Sequence, residues 1–159
     1  MSLSPVEEAL LRRAIELADE ARAAGNHPFG ALLAVDGVVV AEARNLVTTG
    51  PDATAHAETE LVRVLERAGL LDRLPDGVVY ASTEPCPMCV GAMKWAGARR
   101  IVFGLTSKRL YEISNAPGAE RHSFETTAAE LAATARPSMS VTGPYLEDEA
   151  TRSHEGFWY

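Results

Sequence analysis

Apolar residues recur at Val6, Leu10, Leu11, Ala14, Ile15, Leu17, Ala18 and Ala21 within Ser4–Ala24, the spacing of one helical face, and the stripe stops at Gly25. From Ala31 to Ala43 the pattern becomes two short apolar runs on either side of Asp36-Gly37, a dipeptide that favours a tight hairpin turn. Asn45 to Thr54 is polar and carries Gly50-Pro51-Asp52, which predicts a loop. A second stripe of Leu61, Val62, Leu65 and Ala68 predicts a helix from near Ala55 to Ala68, closed by Gly69. Val78–Ser82 reads as a buried strand, Pro87–Ala96 as a third helix and Arg100–Gly104 as another strand, an order that calls for a parallel, right-handed crossover. Past Gly104 the pattern weakens, leaving a helix around Thr126–Ala135, a strand at Met139–Thr142 and a last helical turn after Pro144. No internal repeat or low-complexity linker interrupts the chain. The expectation is one domain over residues 1–159, of class α/β: a three-layer α/β/α sandwich on a mixed sheet of about five strands.

Composition narrows the function more than the fold. A chain of 159 residues can bury roughly 70% of its unfolded surface, enough to hold a pocket without disulfides. Hydrophobic residues make up 47% and charged residues 23%, ordinary values for a globular protein. The formal charge of -7 and a pI near 5.1 repel polyanions, so a nucleic-acid partner is not expected and a small neutral substrate is. Met1-Ser2-Leu3-Ser4-Pro5 does not lead from basic residues into an apolar run, and no stretch of about 18 apolar residues occurs. No membrane partner is expected, and a cytoplasmic location follows by default. The two cysteines lie three positions apart, a poor basis for a stapled secreted scaffold and a good one for a metal or redox pair.

Chemistry concentrates in His56-Ala57-Glu58 and Pro85-Cys86-Pro87-Met88-Cys89. A catalytic zinc site uses three protein ligands and leaves a fourth tetrahedral position to water, and one imidazole with two thiolates supplies that set. Cys86 and Cys89 at the first turn of a helix can point both sulfurs at one spot. Pro87 suits that turn, and the helix N-terminus favours thiolates. His56 and Glu58 would face opposite ways inside a helix, but they can share a site where the chain is still entering one. Two thiolates already offset the zinc charge, so a bound water benefits from a nearby base, a role that fits Glu58. One Zn²⁺ per chain is the expected cofactor.

The pattern H-x-E followed by P-C-x-x-C is the signature of zinc deaminases, and the chain resembles the cytidine deaminase superfamily. The order helix, hairpin, HAE helix, strand, PCxxC helix, strand is also that family's order. Pro28-Phe29-Gly30-Ala31, Arg44-Asn45 and Glu84–Cys89 followed by Trp95-Ala96 look like its branch of bacterial guanine, cytosine and related small-molecule deaminases. This resemblance implies attack of a zinc-activated water on the amino-bearing carbon of a nucleobase or amino-triazine. Glu58 would pass the proton to the ring nitrogen and then to departing ammonia. It further implies that Asn45 and the Ala57 N–H hold the base, that the His56 imidazole lies against it, and that the protein is a homodimer. The tRNA adenosine deaminases carry the same two motifs and are the rival within the superfamily. A non-catalytic zinc domain on the same fold is the rival of another class, and Glu58, which metal binding does not need, argues against it.

Each residue also has a plainer reading. A lone C-x-x-C can be a redox pair. Asn45 can be a turn residue bonded to its own backbone, and Trp95 and Phe29 can be either core or pocket wall. His27, His122 and His154 sit in no ligand spacing and are expected on the surface. The ending Phe157-Trp158-Tyr159 would be a sizeable apolar patch if left in water, so these rings are expected to be buried in the core or over the site. Glu155 is either a solvated charge or a reader of N–H donors on a base edge.

Overall fold

The computed structural model describes residues 2–120 and 122–159. Helix α1 (Pro5–Ala23) begins at a capping box: the Ser4 hydroxyl accepts the Glu7 N–H while the Glu7 carboxylate accepts the Ser4 N–H, and Pro5 occupies the first helical position. Strands β1 (Gly30–Val35) and β2 (Val38–Arg44) form the hairpin. Its turn residues Asp36 (φ 50°) and Gly37 (φ 77°) are both left-handed, which matches the twist of the two strands. Helix α2 (Ala57–Ala68) stops at left-handed Gly69 and is followed by a short 3-10 turn at Leu71–Asp76. Then come β3 (Val78–Thr83), α3 (Pro87–Ala96), β4 (Arg100–Leu105), α4 (Ser107–Ser114), α5 (Ala128–Ala133), β5 (Ser140–Thr142) and α6 (Glu147–Arg152).

The strands make one five-stranded sheet in the order β2-β1-β3-β4-β5. β1 runs antiparallel to β2 and β3, whereas β3, β4 and β5 are mutually parallel neighbours. This is the mixed sheet of the α/β class that the hydrophobic pattern predicts. Alternation along the strands sorts the core onto two faces. Ala31, Leu33, Val79 and Ile101 pack with residues of α2, α3 and α5. Leu32, Ala34, Tyr80 and Val102 pack with α1 and with Ala150 of α6. α1 crosses so close to the start of β1 that a Cβ at Gly30 would lie 2.4 Å from the Ala14 carbonyl oxygen, so only glycine fits there. Among the described residues no helix is long and apolar enough to cross a membrane.

Helix α4 is absent from the hydrophobic pattern for a physical reason: no residue on it is fully buried. Only Leu110 and Ile113 reach the core, and both are partly exposed. Its start instead depends on polar ties. Thr106 caps it by accepting the Arg109 N–H, and the Glu147 carboxylate accepts both the N–H (3.1 Å) and the hydroxyl (2.7 Å) of Thr106.

Candidate active site

β3 and β4 are parallel, so their C-terminal ends lie side by side and deliver the N-termini of α3 and α4 to one edge of the sheet. The N-terminus of α2 meets them there. His56 is the N-cap of α2 and Cys86 the N-cap of α3, both in extended conformation and neither capping with its side chain. Two helix ends thus spend their cap positions on metal-type ligands and aim their partial positive charge at one point.

At that point the His56 Nδ1 lies 3.6 Å from the Cys86 Sγ and 3.5 Å from the Cys89 Sγ, and the two sulfurs are 3.6 Å apart. A tetrahedral zinc with ordinary bond lengths requires edges of about 3.6 Å between nitrogen and sulfur and about 3.8 Å between sulfurs. The triangle therefore has the dimensions of a zinc face, and these three residues could hold the ion. The chemistry of the donor set agrees. Hydrogen bonds from Cys89 and then from His56 hold Cys86 as the thiolate, pulling its pKa down. The same Cys86 contact, with burial, pushes Cys89 up. Two thiols this close ionise together only around a cation. His56 is drawn upward by its hydrogen bond to Cys86.

Glu58 sits on the first turn of α2, 6% exposed, and burial, with the nearby Cys86, pushes its carboxyl up to about 7. It is not one of the ligand group. A cavity of about 140 Å³ opens over it, walled by Phe29, His56, Glu58, Cys86, Leu110 and Tyr111. Ala57 is fully buried at the first position of α2. Asn45 is buried, its Oδ1 accepts the Val47 N–H at 3.0 Å, and its amide nitrogen makes no hydrogen bond among the described residues. The turn reading of Asn45 and a spare donor coexist. The loop behind it is pinned by buried Asn26, whose Oδ1 accepts from the Thr48 and Thr49 N–H groups.

The C-terminal tail comes to the same edge. Arg22 of α1 donates to the carbonyls of Ser153 (3.0 Å) and Glu155 (2.8 Å) and lies 5.6 Å from the Phe157 ring. Trp158 stacks on His154 at 5.9 Å, donates to its Nδ1 at 3.3 Å, and leans on His27 (5.4 Å) and Phe29 (6.1 Å). Phe29 thus has the Glu58 cavity on one side and His154, at 5.3 Å, on the other. A second cavity of about 340 Å³ lies between α4 and the tail, lined by Glu112, Ile113, His154, Glu155, Trp158 and Tyr159.

Several expectations need correction. Trp95 is 90% exposed, neither core nor pocket wall of this chain, because Cys89, Val90 and Met93 take the inner face of α3 and Trp95 points the other way. Tyr159 is 71% exposed. Phe157 and Trp158 are half-buried, so the tail is sunk in neither the core nor solvent. Glu155 is exposed on the second cavity rather than the first. His154 is no surface residue at 2% exposed, and burial, then the Arg22 charge, pulls it down to about 4. His27 is half-buried against Phe157 and Trp158, and only His122 of the three is exposed. Leu110 and Tyr111 were invisible as wall residues because α4 itself was.

Residues 4–105 match the family described as Cytidine and deoxycytidylate deaminase zinc-binding region. The chain is 39% identical to a probable cytosine deaminase of Schizosaccharomyces pombe over 98% of its own length and 94% of that protein. It is 36% identical to a tRNA-specific adenosine deaminase of Haemophilus influenzae over 98% of its length and 84% of that one. The structure of a guanine deaminase from Bacillus subtilis superposes with a TM-score of 0.61 at 41% identity, covering 66% of this chain and 68% of that one.

Proposed function

Because the chain belongs to the cytidine and deoxycytidylate deaminase zinc-binding family, and is thereby a zinc-dependent hydrolytic deaminase, we propose that its substrate is a free nucleobase or base analogue of the guanine, cytosine or amino-triazine type. The observation that carries this reading is the cavity over Glu58. At about 140 Å³ it is smaller than the 300 Å³ or so at which ordinary ligand pockets begin. It has room for a small heterocycle. Its apolar walls, Phe29, Leu110 and Tyr111, suit the faces of a flat ring.

The reaction adds water across the amino-bearing ring carbon, breaks its bond to nitrogen and releases ammonia, leaving a carbonyl. Zinc held by His56, Cys86 and Cys89 would lower the pKa of a bound water and so supply the nucleophile. Glu58 moves the protons: its carboxylate takes one from the attacking water and gives it to the ring nitrogen, then takes the second from the hydroxyl now on the ring carbon and gives it to the departing amine. Burial supports that task, because a carboxyl pushed up toward neutrality gives and takes protons readily near pH 7. The Ala57 N–H, at an uncapped helix start, and the unbonded Asn45 amide nitrogen hold the base edge. Phe29 and the His56 ring take its faces. Trp158 backs Phe29 from outside, and Glu155 and Tyr159 belong to the outer cavity rather than to the reacting ring.

A second reading, deamination of adenosine in tRNA, is favoured by the H. influenzae relative, whose likeness also runs through nearly the whole chain. The net charge of -7 opposes it, because binding a polyanion depends on cationic contacts with phosphates. The deciding experiment is ammonia release by zinc-loaded protein from a panel of free bases, their nucleosides and a tRNA anticodon stem-loop. Free bases are expected to react, and a preference for the stem-loop would replace the first reading with the second. The chain is further proposed to work as a homodimer through the outer face of α3, where Met88 (38%) and Trp95 (90%) are exposed together. A monomer in sedimentation at micromolar concentration would remove that assembly.

A further inference from the structure

Glu84 stands two residues before Cys86, and its side chain does something that neither zinc binding nor proton transfer requires. One carboxylate oxygen accepts the Ser107 N–H at 2.8 Å and the other accepts the Ala128 N–H at 2.9 Å. Ser107 is the first residue of α4 and Ala128 the first of α5. A single carboxylate, 9% exposed, therefore ends two helices at once, and it lines the Glu58 cavity as well. An anion accepting N–H groups at helix starts is a strong hydrogen-bonding arrangement, with both dipoles aligned in its favour.

The consequence falls on α4. This helix carries Ser107, Leu110 and Tyr111 to the cavity, yet it has no fully buried residue. Packing alone does not fix its position. Two carboxylates do: Glu147 holds the Thr106 cap, and Glu84 holds the first helical N–H from the same loop that carries the Cys86 ligand. We propose that Glu84 is a positioning residue for substrate binding, a latch that sets the α4 wall of the cavity relative to the metal loop. The proposal rests on the deaminase-cavity reading above. In this role Glu84 touches neither the proton path nor the metal, and its removal lets the wall move while the chemistry stays intact.

The test uses full-length, zinc-loaded protein. Glu84→Gln keeps the shape but sets an NH₂ against one of the two N–H donors, so one bond is lost and a donor faces a donor. The first readout is tryptic cleavage after Lys108 and Arg109, both exposed on α4, followed by mass spectrometry. The second is the split between KM and kcat on whichever panel compound the wild type deaminates. Expected are retained zinc, faster cleavage at those two sites, and KM raised about tenfold or more with kcat within a few-fold of wild type. Glu58→Gln, run beside it, should show the opposite split, with kcat lost and α4 no more open to trypsin. Should Glu84→Gln fold poorly, Ser107→Pro deletes one donor at a helix position where proline is well tolerated. Ser107→Ala keeps that N–H, so the ratio of their KM values isolates the bond. Unchanged cleavage, or a raised cleavage rate with an unchanged KM, overturns the latch; so does a loss confined to kcat. Failure of the free-base reading would appear separately, as wild-type turnover only of nucleosides or the stem-loop, with the trypsin result still informative about α4.

Discussion

Deleting Phe157, Trp158 and Tyr159 separates a substrate cover from a piece of core. The truncation removes the pairings of Phe157 and Trp158 with His27 (5.8 and 5.4 Å), of Trp158 with Phe29 (6.1 Å) and His154 (5.9 Å), and of Arg22 with the Phe157 ring (5.6 Å). The hydrogen bond from the Trp158 indole to His154 goes with them. Ring pairs of this kind contribute about 0.5–1.5 kcal/mol each when well buried. These rings are only half-buried and Tyr159 is exposed, so the sum is about 2–4 kcal/mol. In a domain of this length that lowers Tm by about 5–15 °C, well short of unfolding it at room temperature. Zinc content should be unchanged, because His56, Cys86 and Cys89 lie at the starts of α2 and α3 and take no part in these ring pairings. Turnover is the sensitive measure. Without Trp158 behind it, Phe29 loses its backing and the cavity is open to water, so kcat/KM should fall about 10–100-fold, the loss of one ring's stacking and burial. The assay is ammonia release by the truncated protein, with calorimetry and metal analysis on the same preparation. A truncated protein that is folded, zinc-loaded and as active as the wild type would refute the covering role. Outright unfolding would mean the cluster is core.

Cys89→Ala should abolish bound zinc and activity together and lower thermal stability, because metal affinity is linked to folding; a variant with one zinc per chain by elemental analysis would remove Cys89 from the ligand set. Glu58→Gln should retain zinc and fold while losing about 10²–10⁴ in kcat, and turnover within a few-fold of wild type would take proton transfer away from that residue. His154, pulled down to about 4 in the fold by burial, binds fewer protons folded than unfolded, so its contribution to stability is present above about pH 6.5 and drains away as pH falls toward 4. Between pH 7 and pH 5 the wild type should therefore lose about 2 kcal/mol more than His154→Phe in denaturant titrations, and parallel profiles for the two proteins would show that His154 does not titrate in this way.

What the sequence made legible follows from what carries the structure at each place. β1, β3 and β4 are buried on both faces of the sheet, so their apolar runs announce them, and α1 and α2 carry clear stripes because each covers one sheet face. The metal triangle was legible because its ligands lie within two short motifs, each at a helix start. α4 was not, since polar caps from Glu84 and Glu147 hold it and such ties cross 23 and 41 positions of sequence. Trp95 failed for the opposite reason. It sits in a helix of apolar composition, and the inner face of that helix was already filled by Cys89, Val90 and Met93. His154 was unreadable because its burial depends on Trp158, Phe29 and the Arg22 clamp rather than on any local pattern.

The division between legible and illegible parts has a functional counterpart. The family match ends at residue 105, the last residue of β4, and the metal ligands and Glu58 all fall before it. Leu110 and Tyr111, which complete the cavity, fall after it, as do His154 and Trp158, which back Phe29. Relatives acting on different amines can share these residues, since loss of ammonia from an amino-bearing carbon asks the same of metal and proton carrier whatever ring is attached. Discrimination between rings has to come from contacts that differ, and an apolar wall separates close homologues by only about 1–3 kcal/mol per methylene-sized change unless a misfit leaves a buried polar group unpaired. If Glu84 sets α4 as proposed above, a shift of its first turn would move Leu110 and Tyr111 together against the metal face. Exchanging residues 106–127 between this chain and a deaminase of different substrate preference should then move KM values between their substrates while leaving zinc content and the effect of Glu58→Gln unaltered. Were the exchanged protein to keep its original preference, discrimination would have to reside in Phe29, Asn45 and the residues around them.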